Sequence, residues 1–143
     1  MLKTVLIHPE ILQALGHNGH GAKILITDGN FPAYTHTPIS SVKVFLNLTP
    51  GILKVTDVLA TLLTSIPLEK AIMMEAPGRE NELIQQEFVS ILGQNQPLVK
   101  LNKADFYAHA ESNQNCLTIV TGDTRRYANI ILVMGVRAHL VMP

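Results

Sequence analysis

Short apolar runs alternate along this chain with segments of helical periodicity, and this alternation restricts the possible folds more than any other feature. The apolar runs have the length of buried strands, and several are bounded by glycine, proline or asparagine. In the segments between them, apolar residues recur every three or four positions, as in an amphipathic helix. Strands that alternate with helices favour an α/β fold whose sheet is covered on both faces. The predicted strands are 23–27, 42–48, 68–75, 98–101, 116–121 and 129–134.

The ends of the helices are marked by residues with known positional preferences. Pro9 suits the first turn of a helix that ends near Gly16. Asn102 is a favoured N-cap residue, and Gly93 is a favoured C-cap residue. The predicted helices are 8–16, 55–65, 80–92 and 102–110, while 30–41 form a long loop of the kind that is often functional.

The composition favours one domain that associates with copies of itself. The chain has 143 residues, enough for a substantial core, so we expect residues 1–143 to form a single domain. Hydrophobic residues make up 47% of the chain and charged residues only 15%, whereas globular chains typically carry ~25% charged residues. Because the cores of subunit interfaces are depleted of charge, this shortage favours a homo-oligomer over the alternative, a slightly apolar monomer.

Charge and cysteine usage argue against several classes of protein. The 11 basic and 11 acidic residues give zero net charge, which offers no electrostatic support for nucleic-acid binding. Cys116 is the single cysteine and lies in an apolar run, so we expect a core residue, no internal disulfide and a reducing, cytoplasmic setting. The start of the chain turns polar too early for a signal peptide. No apolar run approaches the ~20 residues that span a bilayer.

The segment 16–32, GHNGHGAKILITDGNFP, carries the first candidate site. A glycine-rich loop bears His20, an apolar strand follows, and the strand delivers Asp28 to its C-terminal end. In open α/β sheets, ligands usually bind at the carboxyl ends of strands. A histidine and an aspartate brought to one crevice can move protons near neutral pH, so we expect His20 and Asp28 to lie together.

Other kinds of site are not supported. The sequence has no phosphate-binding loop, no nucleophile elbow and no glycine fingerprint after a strand. His17 and His20 are three residues apart, but the glycines around them argue against the helix that would make them a pair of metal ligands. We therefore expect no metal site. The residues alone indicate an oligomeric α/β domain with a histidine–aspartate site and no named reaction.

Four stretches spread over nearly the whole chain carry a family resemblance. They are 15–21 (LGHNGHG), 26–33 (ITDGNFPA), 105–107 (DFY) and 120–132 (VTGDTRRYANIIL). Together they resemble the ribose pyranase/fucose mutarotase family, whose members interconvert anomers or ring forms of monosaccharides. Residues 31–33, Met73–Met74 and 106–107 look more like the fucose mutarotase branch, although the methionines are also expected core residues.

The resemblance implies a fold, an assembly and a site. The fold would be a three-layer α/β/α sandwich with a mostly parallel or mixed central sheet. Subunits would form a homo-oligomeric ring, a decamer in known members, with sites between neighbouring subunits and no cofactor. The family's catalytic histidine falls on His20 and its carboxylate on Asp28. Its C-terminal sugar-binding pair falls on Tyr127 and Asn129, and Tyr107 matches a tyrosine of the fucose branch.

These residues suit sugar mutarotation, which requires proton transfers at the anomeric hydroxyl and at the ring oxygen. In our hypothesis, His20 transfers the proton at the anomeric centre, while Asp28 orients His20 or holds a sugar hydroxyl. Tyr127 offers a phenolic donor and a stacking surface, and Asn129 offers both donors and acceptors. The structural alternatives are a loop-capping histidine at His20, a turn aspartate at Asp28 and an interface-packing tyrosine at Tyr127.

One position departs from the family pattern. The family usually has an acidic residue two places after the histidine, and here that place is Ala22. Its loss would alter how His20 is oriented, and it leaves several functions open. The first is a cofactor-free mutarotase for an L-fucose-type sugar. The alternatives are a D-ribose pyranase, a non-catalytic sugar-binding or transport-associated protein, and a structural ring protein.

Overall fold

A computed structural model describes residues 1–140, which form one six-stranded sheet and four helices. The strands are β1 (Lys23–Thr27), β2 (Val42–Phe45), β3 (Leu68–Met74), β4 (Leu98–Leu101), β5 (Asn115–Val120) and β6 (Ile130–Met134). The helices are α1 (Pro9–Gly16), α2 (Val55–Leu62), α3 (Arg79–Leu92) and α4 (Lys103–Ala110).

The sheet is mixed, with the strand order β2-β5-β1-β6-β3-β4. All neighbouring pairs are parallel except those of β6, which runs antiparallel to β1 on one side and to β3 on the other. Ile26 pairs with Ile130, near the end of β1 and the start of β6. The residues just before β6 therefore lie at the same edge of the sheet as those just after β1.

The central strands are buried on both faces, as expected of a sheet covered by helices. Every residue of β1 is buried. Ile24 and Ile26 join a core with residues of α1, α2 and α3, while Leu25 points to the opposite core, which contains Phe106 of α4. Because side chains alternate along a strand, one apolar run supplies both cores. This arrangement confirms the predicted three layers and the mixed sheet.

The predicted elements are confirmed in type and order, with ends that differ by a few residues. Strand β2 ends at Phe45 instead of continuing to residue 48. Helix α2 ends at Leu62 because the next residues form tighter turns: the N–H groups of Thr64 and Ser65 donate to the carbonyls of Thr61 and Leu62. The predicted cap at Asn102 is confirmed, since its side chain accepts a bond from the Asp105 N–H.

Cys116 lies within β5 and is half-buried against the core, which agrees with its predicted packing role. Its thiol donates to the Lys23 carbonyl at 3.3 Å. Burial raises the pKa of the Cys116 thiol, and this disfavours the thiolate that a nucleophile needs. None of the helices in residues 1–140 combines the length and apolar character required to cross a membrane.

Candidate functional site

A cavity of about 360 Å³ opens at the edge of the sheet where β1 and β3 end and β6 begins. Four residues predicted from the sequence line it: Asp28, Tyr107, Tyr127 and Asn129. The other lining residues are Asn30, Phe31, Met74, Lys103 and Arg126. The cavity thus combines carboxylate, amide, phenol and cationic groups with an apolar wall.

Asp28 and Asn129 hold each other in place at the floor of this cavity. The backbone N–H of Asp28 donates to Asn129 Oδ1 at 2.9 Å, and Asn129 Nδ2 donates to Asp28 Oδ2 at 3.2 Å. The N–H of Asn30 donates to the other carboxylate oxygen at 2.8 Å. Both side chains are buried. Asp28 is therefore fixed by the start of β6 as well as by the turn that follows its own strand.

The pKa of Asp28 is raised from its ordinary value. Burial is the main cause, because it disfavours the charged carboxylate, and Asp123 adds a smaller effect in the same direction. Hydrogen bonds from Asn30, Phe31 and Asn129 oppose the shift without cancelling it. A carboxyl group in this setting can accept a hydrogen bond from a ligand hydroxyl while remaining anchored to the protein.

One side of the cavity is aromatic. The rings of Phe31 and Tyr107 stack with centroids 5.2 Å apart, and His36 meets the Tyr107 ring edge-on at 5.0 Å. The Lys103 ammonium lies 5.6 Å from the centre of the Tyr107 ring. Burial is the main reason that the pKa of Tyr107 is raised, with a further contribution from Asp28. Tyr107 therefore stays a neutral hydroxyl donor.

Tyr127 has an unusual backbone conformation, with φ of 64°. Residues with a Cβ avoid this left-handed region, which costs roughly 1–2 kcal/mol. Among the described non-glycine residues, Tyr127 alone has a positive φ. Its side chain is 40% exposed and lines the cavity, so burial in the core does not account for the strain. Strained residues of this kind are often found at functional sites.

The structure does not bring His20 to this cavity, so the prediction that His20 and Asp28 share one crevice is wrong for a single chain. His20 precedes β1 and Asp28 follows it, which separates them by the whole strand, roughly 16 Å of extended backbone. His20 Nε2 instead lies 2.6 Å from Glu69 Oε2, at the opposite edge of the sheet. Both side chains are largely exposed there, at 60% and 46%.

Sequence reasoning missed several residues that line the cavity. Lys103 lies one helical turn before Tyr107 in α4, and this spacing places both on one face of the helix. That signal could have identified Lys103. Arg126 also lines the cavity, whereas the neighbouring Arg125 binds Asp123 and Glu87 within the chain.

Two further expectations concern metals and methionines. In the chain as far as residue 140, no three His, Cys, Asp or Glu side chains are grouped so that they could hold a metal ion. Met73 and Met74 are both buried, as expected of core residues, but on opposite faces of the sheet. Met74 also contributes to the apolar wall of the cavity.

Comparison with known proteins supports the resemblance seen in the sequence. Residues 1–137 match the RbsD / FucU transport protein family. Bacillus subtilis RbsD complexed with D-ribose is 26% identical with a TM-score of 0.84, and the match covers 96% of this chain and 100% of that one. FucU from Bifidobacterium longum is 28% identical with a TM-score of 0.76, over 92% of this chain and 96% of that one.

A fucose mutarotase from Streptococcus pneumoniae, in complex with L-fucose, shares the fold at 23% identity, with a TM-score of 0.79 over 96% of this chain and 100% of that one. The match to the family model covers nearly the whole chain, including the strands and the residues that line the edge cavity. This chain belongs to the RbsD / FucU family.

Proposed function

We propose that this chain is a cofactor-free monosaccharide mutarotase that opens and recloses a sugar ring by acid/base catalysis. The observation that carries the proposal is the edge cavity, which is lined both by the anchored Asp28–Asn129 pair and by the stacked rings of Phe31 and Tyr107. Carboxylate and amide groups bind hydroxyls, and aromatic faces accept the C–H face of a sugar ring. Bacillus subtilis RbsD, which is structurally similar, is complexed with D-ribose.

The cavity has a size and lining suited to one sugar unit. Its volume of about 360 Å³ lies at the lower end of the ~300–1,000 Å³ range of small-molecule pockets. Phe31 and Met74 form an apolar wall that suits the methyl group of a 6-deoxy sugar. We therefore place L-fucose first among the substrates and D-ribose, with pyranose–furanose conversion, second.

The proposed catalytic histidine has to come from a neighbouring subunit. His20 and Asp28 lie at opposite edges of the sheet within one chain, so no single subunit contains both halves of the site. Large apolar side chains are exposed, including Ile39 and Leu48, which are 101% and 83% exposed. Burial of such surface between copies would favour association. We propose a homo-oligomeric ring, with the decamer as the expected size.

The proposed reaction needs two proton transfers and no redox step. His20 takes the proton of the anomeric hydroxyl, the C1–O bond of the ring breaks, and C1 becomes a carbonyl. Tyr127 gives its phenolic proton to the departing ring oxygen. After rotation about C1–C2, the reverse steps close the ring and return both protons. Asp28 holds a sugar hydroxyl, because it lines the cavity and its carboxylate is already fixed by hydrogen bonds from Asn30 and Asn129.

Saturation-transfer NMR tests the proposal directly, by measuring exchange between the anomers of L-fucose and D-ribose with and without protein. We expect accelerated exchange for at least one of these sugars. His20→Ala should remove it while size-exclusion chromatography shows an unchanged oligomer. A folded wild-type protein that accelerates neither sugar would rule the proposal out, and an active His20→Ala variant would remove His20 from its role.

The separation of His20 from the cavity favours one alternative, a non-catalytic sugar-binding protein. Such a protein would keep the Asp28–Asn129 pair and the aromatic wall but would not need the histidine. Calorimetry would then detect sugar binding while NMR detects no exchange. A structural ring protein would show neither, and its Tyr127→Phe variant would behave like the wild type.

A further inference from the structure

His20 has a carboxylate partner that the local sequence does not provide. The position two residues after it is Ala22, which cannot orient the imidazole. In the structure, Glu69 Oε2 lies 2.6 Å from His20 Nε2. Glu69 belongs to β3 and His20 to the loop before β1, so the contact joins two segments on either side of β6.

We propose that Glu69 is the positioning residue for His20, and that it assigns the proton-transfer role to the other ring nitrogen, Nδ1. An ionised carboxylate can only accept hydrogen bonds, so His20 Nε2 must carry the hydrogen and donate it to Glu69. In the neutral ring, Nδ1 is then the nitrogen with a free lone pair. This inference rests on the proposed mutarotase function, and it names the reactive atom.

The contact is better suited to orienting His20 than to stabilising the fold. Both side chains are about half exposed, and ion pairs in such positions contribute little to folding. A distance of 2.6 Å nevertheless defines one ring orientation. Since the ring is held from the Nε2 side, Nδ1 is the nitrogen left for a sugar in a neighbouring subunit's cavity.

The proton movements balance through this arrangement. The anomeric hydroxyl gives its proton to Nδ1, its O–H electron pair forms the new C=O bond, and the ring C1–O bond breaks. Tyr127 supplies the proton that the ring oxygen gains. The imidazolium of His20 then carries hydrogens on both nitrogens, and Glu69 stabilises its positive charge. Reclosure returns each proton to its origin.

Nitrogen-15 NMR of the histidine rings tests the positioning without depending on activity. At alkaline pH, where histidines are neutral, His20 of the wild type should show the Nε2–H tautomer. Glu69→Gln should shift the ring toward the weaker Nε2–H preference of a free histidine, because a glutamine amide can donate as well as accept. A wild-type ring in the Nδ1–H form, or an unchanged tautomer in Glu69→Gln, would overturn the proposal.

Exchange kinetics give the second measurement. Glu69→Gln should lower kcat by about 10- to 100-fold, the loss seen when the partner of a functional histidine is removed from metal sites. KM should change little, because the proposed role of Glu69 is to orient His20 and not to hold the sugar. Glu69→Asp should recover part of kcat. The matched control is Glu82→Gln, an exposed carboxylate paired with Arg79, which should leave exchange unchanged.

The outcomes separate this inference from the proposed function. If the wild type shows no exchange for L-fucose or D-ribose, the mutarotase proposal fails, and the tautomer measurement still decides whether Glu69 positions His20. If the wild type is active and Glu69→Gln matches it in kcat, the mutarotase proposal stands and the role of Glu69 is refuted.

Discussion

Asp28 and Asn129 are 101 residues apart in the chain, yet each one hydrogen-bonds the other at the edge of the sheet. Asn129 accepts from the Asp28 backbone and donates to its carboxylate, so it fixes both the strand end and the functional group. This pair links the segment after β1 to the segment before β6. It is the contact on which the geometry of the cavity depends.

Asp28→Asn should lower the exchange activity and change how the stability of the protein depends on pH. We expect exchange to fall by roughly 10- to 100-fold, because the variant loses the charged acceptor for a sugar hydroxyl. Burial raises the pKa of Asp28, so the folded state holds this proton more tightly than the unfolded state. The resulting stabilisation is present below the unfolded pKa of 3.8 and is lost as the pH rises through the folded pKa.

The variant should therefore gain stability relative to the wild type as the pH rises from about 4 toward neutral. Urea unfolding across this range, with both proteins at equal concentration, measures the difference. A variant that loses stability relative to the wild type over the same pH range would contradict this account of Asp28.

Arg125→Gln should destabilise the loop that leads to the cavity. Arg125 donates to both oxygens of Asp123, which is only 2% exposed, and Asp123 also accepts from the N–H of Val55 at the start of α2. Removing one partner of a buried pair costs about 3–5 kcal/mol. Because Arg125 is 23% exposed, we expect about 2–3 kcal/mol in urea unfolding at neutral pH.

The same pair predicts the effect of acid. Burial alone would raise the pKa of Asp123, but hydrogen bonds from Arg125 and Val55 lower it below its ordinary value. Its stabilisation is thus present above the unfolded pKa of 3.8 and is lost as the pH falls through the lower, folded value. The loss of unfolding free energy caused by Arg125→Gln should therefore be smaller at this acidic pH than at neutral pH. Arg79→Gln, which breaks an exposed pair, is the control and should have little effect at either pH.

Gly122→Ala should destabilise the fold strongly. A Cβ at this position would overlap the Ile52 carbonyl oxygen and lie 2.5 Å from that of Thr49. Both are backbone atoms, so the two loops would have to move apart, at a cost of about 1–3 kcal/mol or more. Thermal melting tests this against Gly16→Ala, which has open space around it and lies in α1. Equal melting temperatures for the two variants would argue against the close approach.

Tyr127→Gly should lose activity with little change in stability, because relief of backbone strain is offset by the greater freedom of glycine in the unfolded chain. Glycine accepts a φ of 64° without strain, so relief of the backbone should contribute about 1 kcal/mol. The loss of the phenol should abolish exchange. Tyr127→Phe keeps both the strain and the ring, so it should match the wild type in thermal melting and lose only the hydroxyl. Full exchange activity in Tyr127→Phe would exclude the phenol as proton donor.

The sequence predicts the elements well because they depend on local patterns. The apolar run of β1 and the cap at Asn102 are each recognisable within a few residues. Asp28 follows β1 for the same reason, so its place at a strand end is predictable. Lys103 would also have been found by counting one helical turn back from Tyr107.

Long-range relationships could not be predicted in this way. The direction of β6 is set by its pairing with β1 and β3, and only this antiparallel insertion brings Asn129 beside Asp28. Likewise, 49 residues separate His20 from Glu69, and no local pattern relates them. The expected meeting of His20 and Asp28 is wrong within one chain, because both flank the same strand, which holds them apart.

The two groups on which the proposed mechanism depends lie at opposite ends of β1. One end carries His20 and the other the cavity, so in the proposed ring each copy would give a proton-transfer group to one site and hold the sugar in another. Two inactive variants, His20→Ala and Asp28→Asn, should then complement each other when they are unfolded and reassembled together. A mixed ring would contain some sites in which an intact histidine meets an intact cavity, although every subunit in it carries a defect.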